Sequence, residues 1–417
     1  MKPASFVGRI LAPYVDLSRP ETDGPVHAWR PWISWQKTLG HCQREGNLQR
    51  ILPPGFRASL DEQLEGGLRV AVEDPEETPA EDRSEAWATL CELVRAQEQL
   101  APERRAAVLG TLLSLGFFGP LARASVPDAE NIAASDWQAS CALAIQAAKT
   151  ILAVTGVGSH DLSPLEQIAR AARPSSVPRF SAEVELVVQY GRHRRDLAAT
   201  QHWRSQAWKT LQAIVAERGA ESFTAHLLTS RFYRSASYVP FIAGDRGAVV
   251  REMDLCEEHA VRAAPTDAHE ALLARENKIP MLQSRAKEAR WLGDLGLAHH
   301  RLLRARDLDP ADSLRWVELG EVELDLGRPA AALESYLTAA RLAPPGGALS
   351  WFMAAEAARA CGQLASACAY YQHALAIDGS AVAAARRLSE LGPQVPGFAP
   401  LELIASRLID RAIATPA

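Results

Sequence analysis

Apolar side chains along this chain recur every three to four residues far more often than every second one, and that period predicts helices. It is clear over residues 85–99, 102–115, 128–155 and 201–218, and again over 248–263, which Pro265 stops. The next stretch, 268–292, keeps the helical period over an unusual length and carries Pro280 inside it, so a kink or split is expected. Strand-like alternation is scarce. The short β-branched patch from Val184 to Val188 sits among helix formers. Residues 9–31 and 74–82 are irregular, and the Glu/Pro run of the second suits an exposed linker. Pro174, Ser175, Ser176 and Pro178 interrupt the pattern at 173–179. Residues 382–391 and 401–413 read as capping helices on either side of a Pro/Gly-rich loop. The expected fold class is all-α.

Within the last third the pattern repeats. Gly293, Gly327 and Gly362 recur at spacings of 34 and 35 residues, as do Ala298, Ala332 and Ala367, and then Ala305, Ala339 and Ala374. Leu302, Tyr336 and Tyr371 hold the large position between those alanines, and Pro310, Pro344 and Gly379 close each unit. Trp316 and Trp351 open the first helix of the last two units, and Leu319-Gly320 follows Trp316. The physical reading is two antiparallel helices per unit. Small residues sit where the helices cross, an aromatic fills the gap beside them, glycine makes the turn, and proline or glycine ends the second helix. This pattern resembles the tetratricopeptide repeat. It departs from it at Ala354-Ala355, which replaces the Leu-Gly pair, at Glu323, where a large ring is usual, and in the first unit, which lacks the opening Trp.

The resemblance implies a helical N-terminal region followed by an α-solenoid with C-terminal caps, divided as 1–83, 84–244 and 245–417. It implies a groove lined by the first helix of each unit. Carried over, those positions are Gln283, Lys287 and Arg290, then Val317, Glu321, Leu324 and Asp325, then Phe352, Glu356 and Arg359. The family's clamp for a terminal carboxylate needs Lys and Asn where Glu318, Leu349 and Met353 stand, so that clamp is not expected. Pro265 and Pro310 lie eleven residues further apart than one unit allows, about three helical turns. If the excess extends the first helix, Glu276, Asn277 and Lys278 project at the mouth of the groove, and Asn277 offers a donor and an acceptor to a peptide backbone.

Net charge is −5 over 417 residues, with arginine well ahead of lysine. A protein dedicated to nucleic acid carries a basic surface, so that function is not expected. Arginine and alanine richness suits a GC-rich bacterial genome. The six cysteines, Cys42, Cys91, Cys141, Cys256, Cys361 and Cys368, form no Cys-x-x-Cys pair and suit free thiols in a reducing cytoplasm. Residues 1–13 lack a signal-peptide pattern, and the apolar stretch 141–158 is broken by Gln146, Lys149 and Thr150, so no membrane span is expected.

Local catalytic motifs are missing. Gly156-Val157-Gly158 lacks a third glycine and follows a helix, and there is no Walker, Gly-x-Ser-x-Gly or His-Glu-x-x-His motif. Cys256 and His259 offer two ligands on one helix where a metal needs three or four, and the adjacent His299 and His300 diverge. No catalytic residue, cofactor or metal is assigned. Trp29, Trp32 and Trp35 suit an anchor for the N-terminal segment, and the basic run from Arg192 to Arg195 suits a solvated helix end. Arg231, Tyr233 and Arg234, with Tyr238 beyond, form a second patch suited to an anion or to interhelix packing. The leading functional reading is a non-catalytic cytoplasmic scaffold for a protein or peptide, with a homodimer left open. One alternative is an enzyme or enzyme subunit whose repeats recruit a peptide substrate. The other is a peptide-responsive regulator, for which residues 85–115 have the length of a helix-turn-helix but not its turn signature.

Overall fold

The computed structural model describes residues 95–115, 118–154, 161–266, 268–308, 313–342, 348–377, 381–391 and 394–395. Every regular element among them is helical, so the chain is all-α. These residues form two compact units that divide between Arg301 and Leu302. The tryptophans of residues 29–35, the linker at 74–82, Gly156 to Gly158 and the last capping helix lie outside the described residues.

The first unit holds α1 (Pro102–Leu115), α2 (Phe118–Arg123), α3 (Ala129–Ala134), α4 (Asp136–Val154), α5 (Ser163–Ala171) and α6 (Val177–Val188). It continues through α7 (Leu197–Arg218), α8 (Phe223–Ala236), α9 (Tyr238–Ala243), α10 (Arg246–Arg262), α11 (Ala268–Leu292) and the start of α12 (Leu295–Leu308). Short polar side chains start these helices by accepting an otherwise orphaned backbone N–H. Ser176 accepts from Arg179, Asp196 from Ala199, Ser222 from Ala225 and Asp245 from Ala248. Helix α4 packs against α1, α6 against α7, and α8 against α10 and α11. One core gathers Ile132, Leu165, Ile168, Leu186 and Trp203, and a second gathers Phe180, Leu211, Ile214, Leu228 and Phe232.

Two expectations need correction here, the single helix over 128–155 and the break at Pro280, while two others hold. The helix expected over 128–155 is two helices. Ser135 adopts an extended conformation (φ −150°, ψ 127°) and its hydroxyl accepts from the Trp137 N–H, restarting the chain as α4. The β-branched patch Val184 to Val188 is helical, within α6. The basic run from Arg192 lies in a π-helical turn, Gln189–Arg194, closed by Arg195 at φ 51°. Helix α11 runs unbroken through Pro280, and the carbonyl deprived of a partner belongs to Glu276, an exposed position.

The second unit contains the rest of α12, then α13 (Ser313–Asp325), α14 (Pro329–Leu342), α15 (Ala348–Ala360), α16 (Leu364–Ile377) and α17 (Val382–Leu391). Helices α13 and α14 form one hairpin and α15 and α16 the next, with α17 packed on α16. The turns share one device. Gly293, Gly327 and Gly362 sit at φ 89°, 69° and 75°. The residue after each glycine donates its N–H back across the turn, Asp294 to Ala289 at 2.9 Å, Arg328 to Glu323 at 2.8 Å and Gln363 to Ala358 at 2.9 Å. Ala332, Ala339, Ala367 and Ala374 are wholly buried, and Tyr336 and Tyr371 fill the space beside them. Glu323, the acid in a ring's place, is buried and accepts from the Ser335 hydroxyl at 2.7 Å.

The same turn occurs upstream without having been legible. Gly244 sits at φ 75°, the Asp245 N–H donates to the Pro240 carbonyl at 2.9 Å, and Asp245 then caps α10. Counting onward from Gly244, Val249, Met253 and Cys256 take the phases that Ala298, Leu302 and Ala305 take after Gly293, and all six are buried.

Tyr336→Ala or Tyr371→Ala is expected to cost about 3–5 kcal/mol in a denaturant titration, as for other large aromatic truncations in cores. Gly320→Ala is the opposite experiment. An added Cβ would lie 2.8 Å from the immobile Tyr336 ring, so overpacking should cost about 1–3 kcal/mol. Unchanged midpoints would show that the rings do not fill this gap.

Candidate functional site

The first helices of the second unit's hairpins are α13 and α15. Their sequences align at a spacing of 35, so Leu314 matches Leu349, Val317 matches Phe352, and Glu321 matches Glu356. Leu314 is 48% exposed and Leu349 61%, at the same phase of successive first helices. Phe352 and Leu324 are half-buried and pack against the unit's core, Phe352 with its ring 5.6 Å from that of Tyr371. Glu321 is half-buried and Asp325 exposed.

Glu356 is the centre of a network. Its Oε1 accepts from the Tyr371 hydroxyl and from Arg387 Nε at 2.8 Å, and its Oε2 accepts from Arg359 Nη2 at 2.8 Å. Burial pushes the Glu356 carboxyl up, but the donors from Tyr371, Arg359 and Arg387 outweigh it, and the group stays below its ordinary range. Burial and the Glu356 charge together push the Tyr371 phenol up, so it remains the donor. Hydrogen bonds to Glu390 and Glu356 raise Arg387 further. Arg359 is therefore engaged with Glu356 and not an isolated positive charge. Arg387, on the capping helix and 31 residues from Glu356, had no local sequence signal.

The remaining groove positions lie in the first unit, on α11. Gln283 is half-buried, and Lys287 and Arg290 are exposed. Asn277 does not project from its helix. It is 3% exposed, and its amide donates to the buried Ser230 hydroxyl of α8 at 2.9 Å. The eleven extra residues thus pack inward, burying Ala274, Arg275 and Ile279 as well, while Glu276 alone of the expected trio is fully exposed.

The second patch is split by the geometry of α8. Arg231 is half-buried, and lost hydration with Arg234 nearby pushes its guanidinium down to about 10, still charged at neutral pH. Tyr233 packs against α10, its ring stacked 6.0 Å from His259. His259 Nδ1 lies 3.0 Å from His226 Nδ1, so one ring donates and the other accepts. His226 Nε2 is 3.4 Å from Glu221, which also holds Arg262. Cys256 turns away to Ser230 at 3.5 Å and does not join His259. Burial pushes its thiol and that of Cys141 up, the latter to about 11, which keeps both protonated.

Residues 348–380 match the tetratricopeptide repeat model, and the C-terminal part of the chain carries that repeat. No curated protein matches the chain. Among solved structures, MamA from Desulfovibrio magneticus RS-1 is 16% identical, with 45% of this chain and 98% of that one covered and a TM-score of 0.36. Pseudomonas aeruginosa PilF is 18% identical, with 57% and 93% covered and a TM-score of 0.35. The human IFIT1 dimer with PPP-AAAA is 12% identical, with 92% and 95% covered and a TM-score of 0.44. No helix among the described residues is long and apolar enough to cross a membrane.

The histidine pair predicts a pH dependence. Burial and His226 lower the His259 pKa below 6.5, with Glu258 and Glu221 opposing and Arg262 assisting. The unfolded chain then takes up this proton first, so the His259 contribution is complete above about pH 6.5 and is lost as pH falls from there through the lower folded pKa. The melting temperature should drop between about pH 7.5 and about pH 5.5, and by less in His259→Phe than in the parent. Equal drops in both would remove the pair as the cause.

Proposed function

We propose that this chain, which carries tetratricopeptide repeats in its C-terminal part, is a non-catalytic scaffold that binds a segment of another polypeptide along the first-helix face of α13 and α15. The observation that carries this reading is the pair Leu314 and Leu349. Single exposed aliphatic residues are ordinary on any surface, but two at the same phase of consecutive units form a repeated contact point. Phe352 and Leu324 supply an apolar floor beside them. Glu321, Asp325, Glu356 and Arg359 supply mixed charge that fixes register more than it adds affinity. A segment laying one large apolar residue on each leucine fits this face.

Burying one leucine is worth about 1.5–3 kcal/mol, or roughly one to two orders of magnitude in affinity. Once a partner is captured from native lysate, Leu349→Glu should weaken its binding by about tenfold or more. Arg359→Glu should act less, because it also disturbs Glu356. Arg218→Glu, on an exposed helix end of the first unit, is the control. Equal binding by all three folded variants would move the contact elsewhere. A mass that rises with concentration in ultracentrifugation and reverts in Leu349→Glu would make the occupant a second copy.

A further inference from the structure

A cavity of about 160 Å³ opens within the first unit, between α8, α9, α10 and α11. Its walls are mostly apolar: Tyr238, Phe241, Val249, Met253 and Trp291. The Phe241 and Trp291 rings meet edge to face at 5.3 Å, and Arg246 covers a face of Trp291 at 5.1 Å. Met253 stands at the phase that Tyr336 and Tyr371 occupy after their own turn glycines. This hairpin, like the next one with Leu302, therefore lacks the ring that the last two contain, and the empty space beside it is of ring size, since about 150 Å³ holds a benzene.

The polar lining is unbalanced. Glu288 is buried, but both its oxygens accept from Arg285 at 2.9–3.0 Å, and Arg301 lies 3.8 Å away. Arg285 is shared in turn with Asp254 and Glu257. Arg234 is different. Its Nε is shielded from solvent and has no acceptor, and its guanidinium makes no ion pair among the described residues. Arg231, one turn back on α8, feels Arg234 as a like charge and Glu276 as an opposite one. A shielded cationic donor without an acceptor is costly, and an anion supplied from outside removes that cost.

We propose that this cavity binds a small carboxylic acid whose apolar body is about the size of one aromatic ring, with the carboxylate on Arg234 and the ring between Phe241, Val249 and Met253. The proposal does not depend on the peptide-binding face. Charge sets the ligand's sign, and the missing ring sets its body. A free small acid is the proposed occupant, because about 160 Å³ matches one ring and its carboxylate.

The test is calorimetric titration of the full chain with phenylacetate, phenylacetamide and phenethylamine. Phenylacetate should bind in the millimolar-to-micromolar range, which about ten heavy atoms allow, and the neutral and cationic relatives at least tenfold more weakly. Arg234→Met should abolish the preference for the acid. Because it removes an unpaired charge, it should melt no lower than the parent without ligand, whereas an arginine with a structural role would melt lower. Val249→Phe, which fills the cavity, should abolish binding of all three compounds. Equal affinities for acid and amide, tighter binding of the amine, or no heat from any compound would overturn the proposal. So would a phenylalanine–glutamate peptide that binds where phenylacetate does not.

Discussion

Four helix-to-helix turns among the described residues depend on a glycine at positive φ. A chain leaving one helix and entering the next antiparallel to it must reverse within two or three residues, and only a left-handed residue does so while satisfying the last carbonyls of the outgoing helix. Gly244, Gly293, Gly327 and Gly362 all meet that demand, and each is followed by the same back-donated N–H. Once the turn is set, the second helix crosses the first at a fixed distance, and side-chain volume at the crossing must match it. In the second unit the match is extreme, with alanines and Gly320 on one side and a wholly buried tyrosine on the other.

This dependence explains which parts of the fold could be read from the residues. Glycine, alanine and tyrosine are distinctive when they recur in phase, so α13 to α16 emerge with their turns and their packing. Their exposed first-helix positions follow from the same phase. The hairpin at Gly244 uses the same backbone device, but Val249, Met253 and Cys256 replace small and aromatic residues with ones that look like any buried helix. Nothing in their types announces a repeat. The restart at Ser135 was hidden for another reason, because one serine in an extended conformation interrupts a helix without disturbing the apolar period on either side.

Features that arise only when distant segments meet were least legible. Asn277 looks like an exposed recognition amide because its neighbours Glu276 and Lys278 are charged. A helix turns 100° per residue, however, so one face of this stretch reaches α8 while the next reaches solvent. Ser230, its partner, lies 47 residues away. Glu356 was read as a groove acid, yet two of its donors, Tyr371 and Arg387, come from the hairpin's second helix and from the cap. The His226–His259 pair joins two helices across 33 residues and leaves no spacing to recognise.

The two units also differ in how they use burial. In the second, two acids are answered from within: Glu323 by Ser335, and Glu356 by Tyr371, Arg359 and Arg387. Much of the first follows the same rule. Arg179 holds Glu183, Arg285 gathers three carboxylates, and Arg105 donates to the Ser125 carbonyl. Arg234 Nε is one of several buried atoms without a partner, as are Glu183 Oε2, Arg204 Nε and Trp351 Nε1, but it stands beside a cavity, where the hairpin has no large aromatic. A flexible Met253 would ordinarily let neighbouring helices close over such a gap. The fixed turn at Gly244 and the rigid rings of Phe241 and Trp291 oppose that closure. A cavity held open by its own scaffold and a charge left without an answer are two costs at one place. A single ligand removes both.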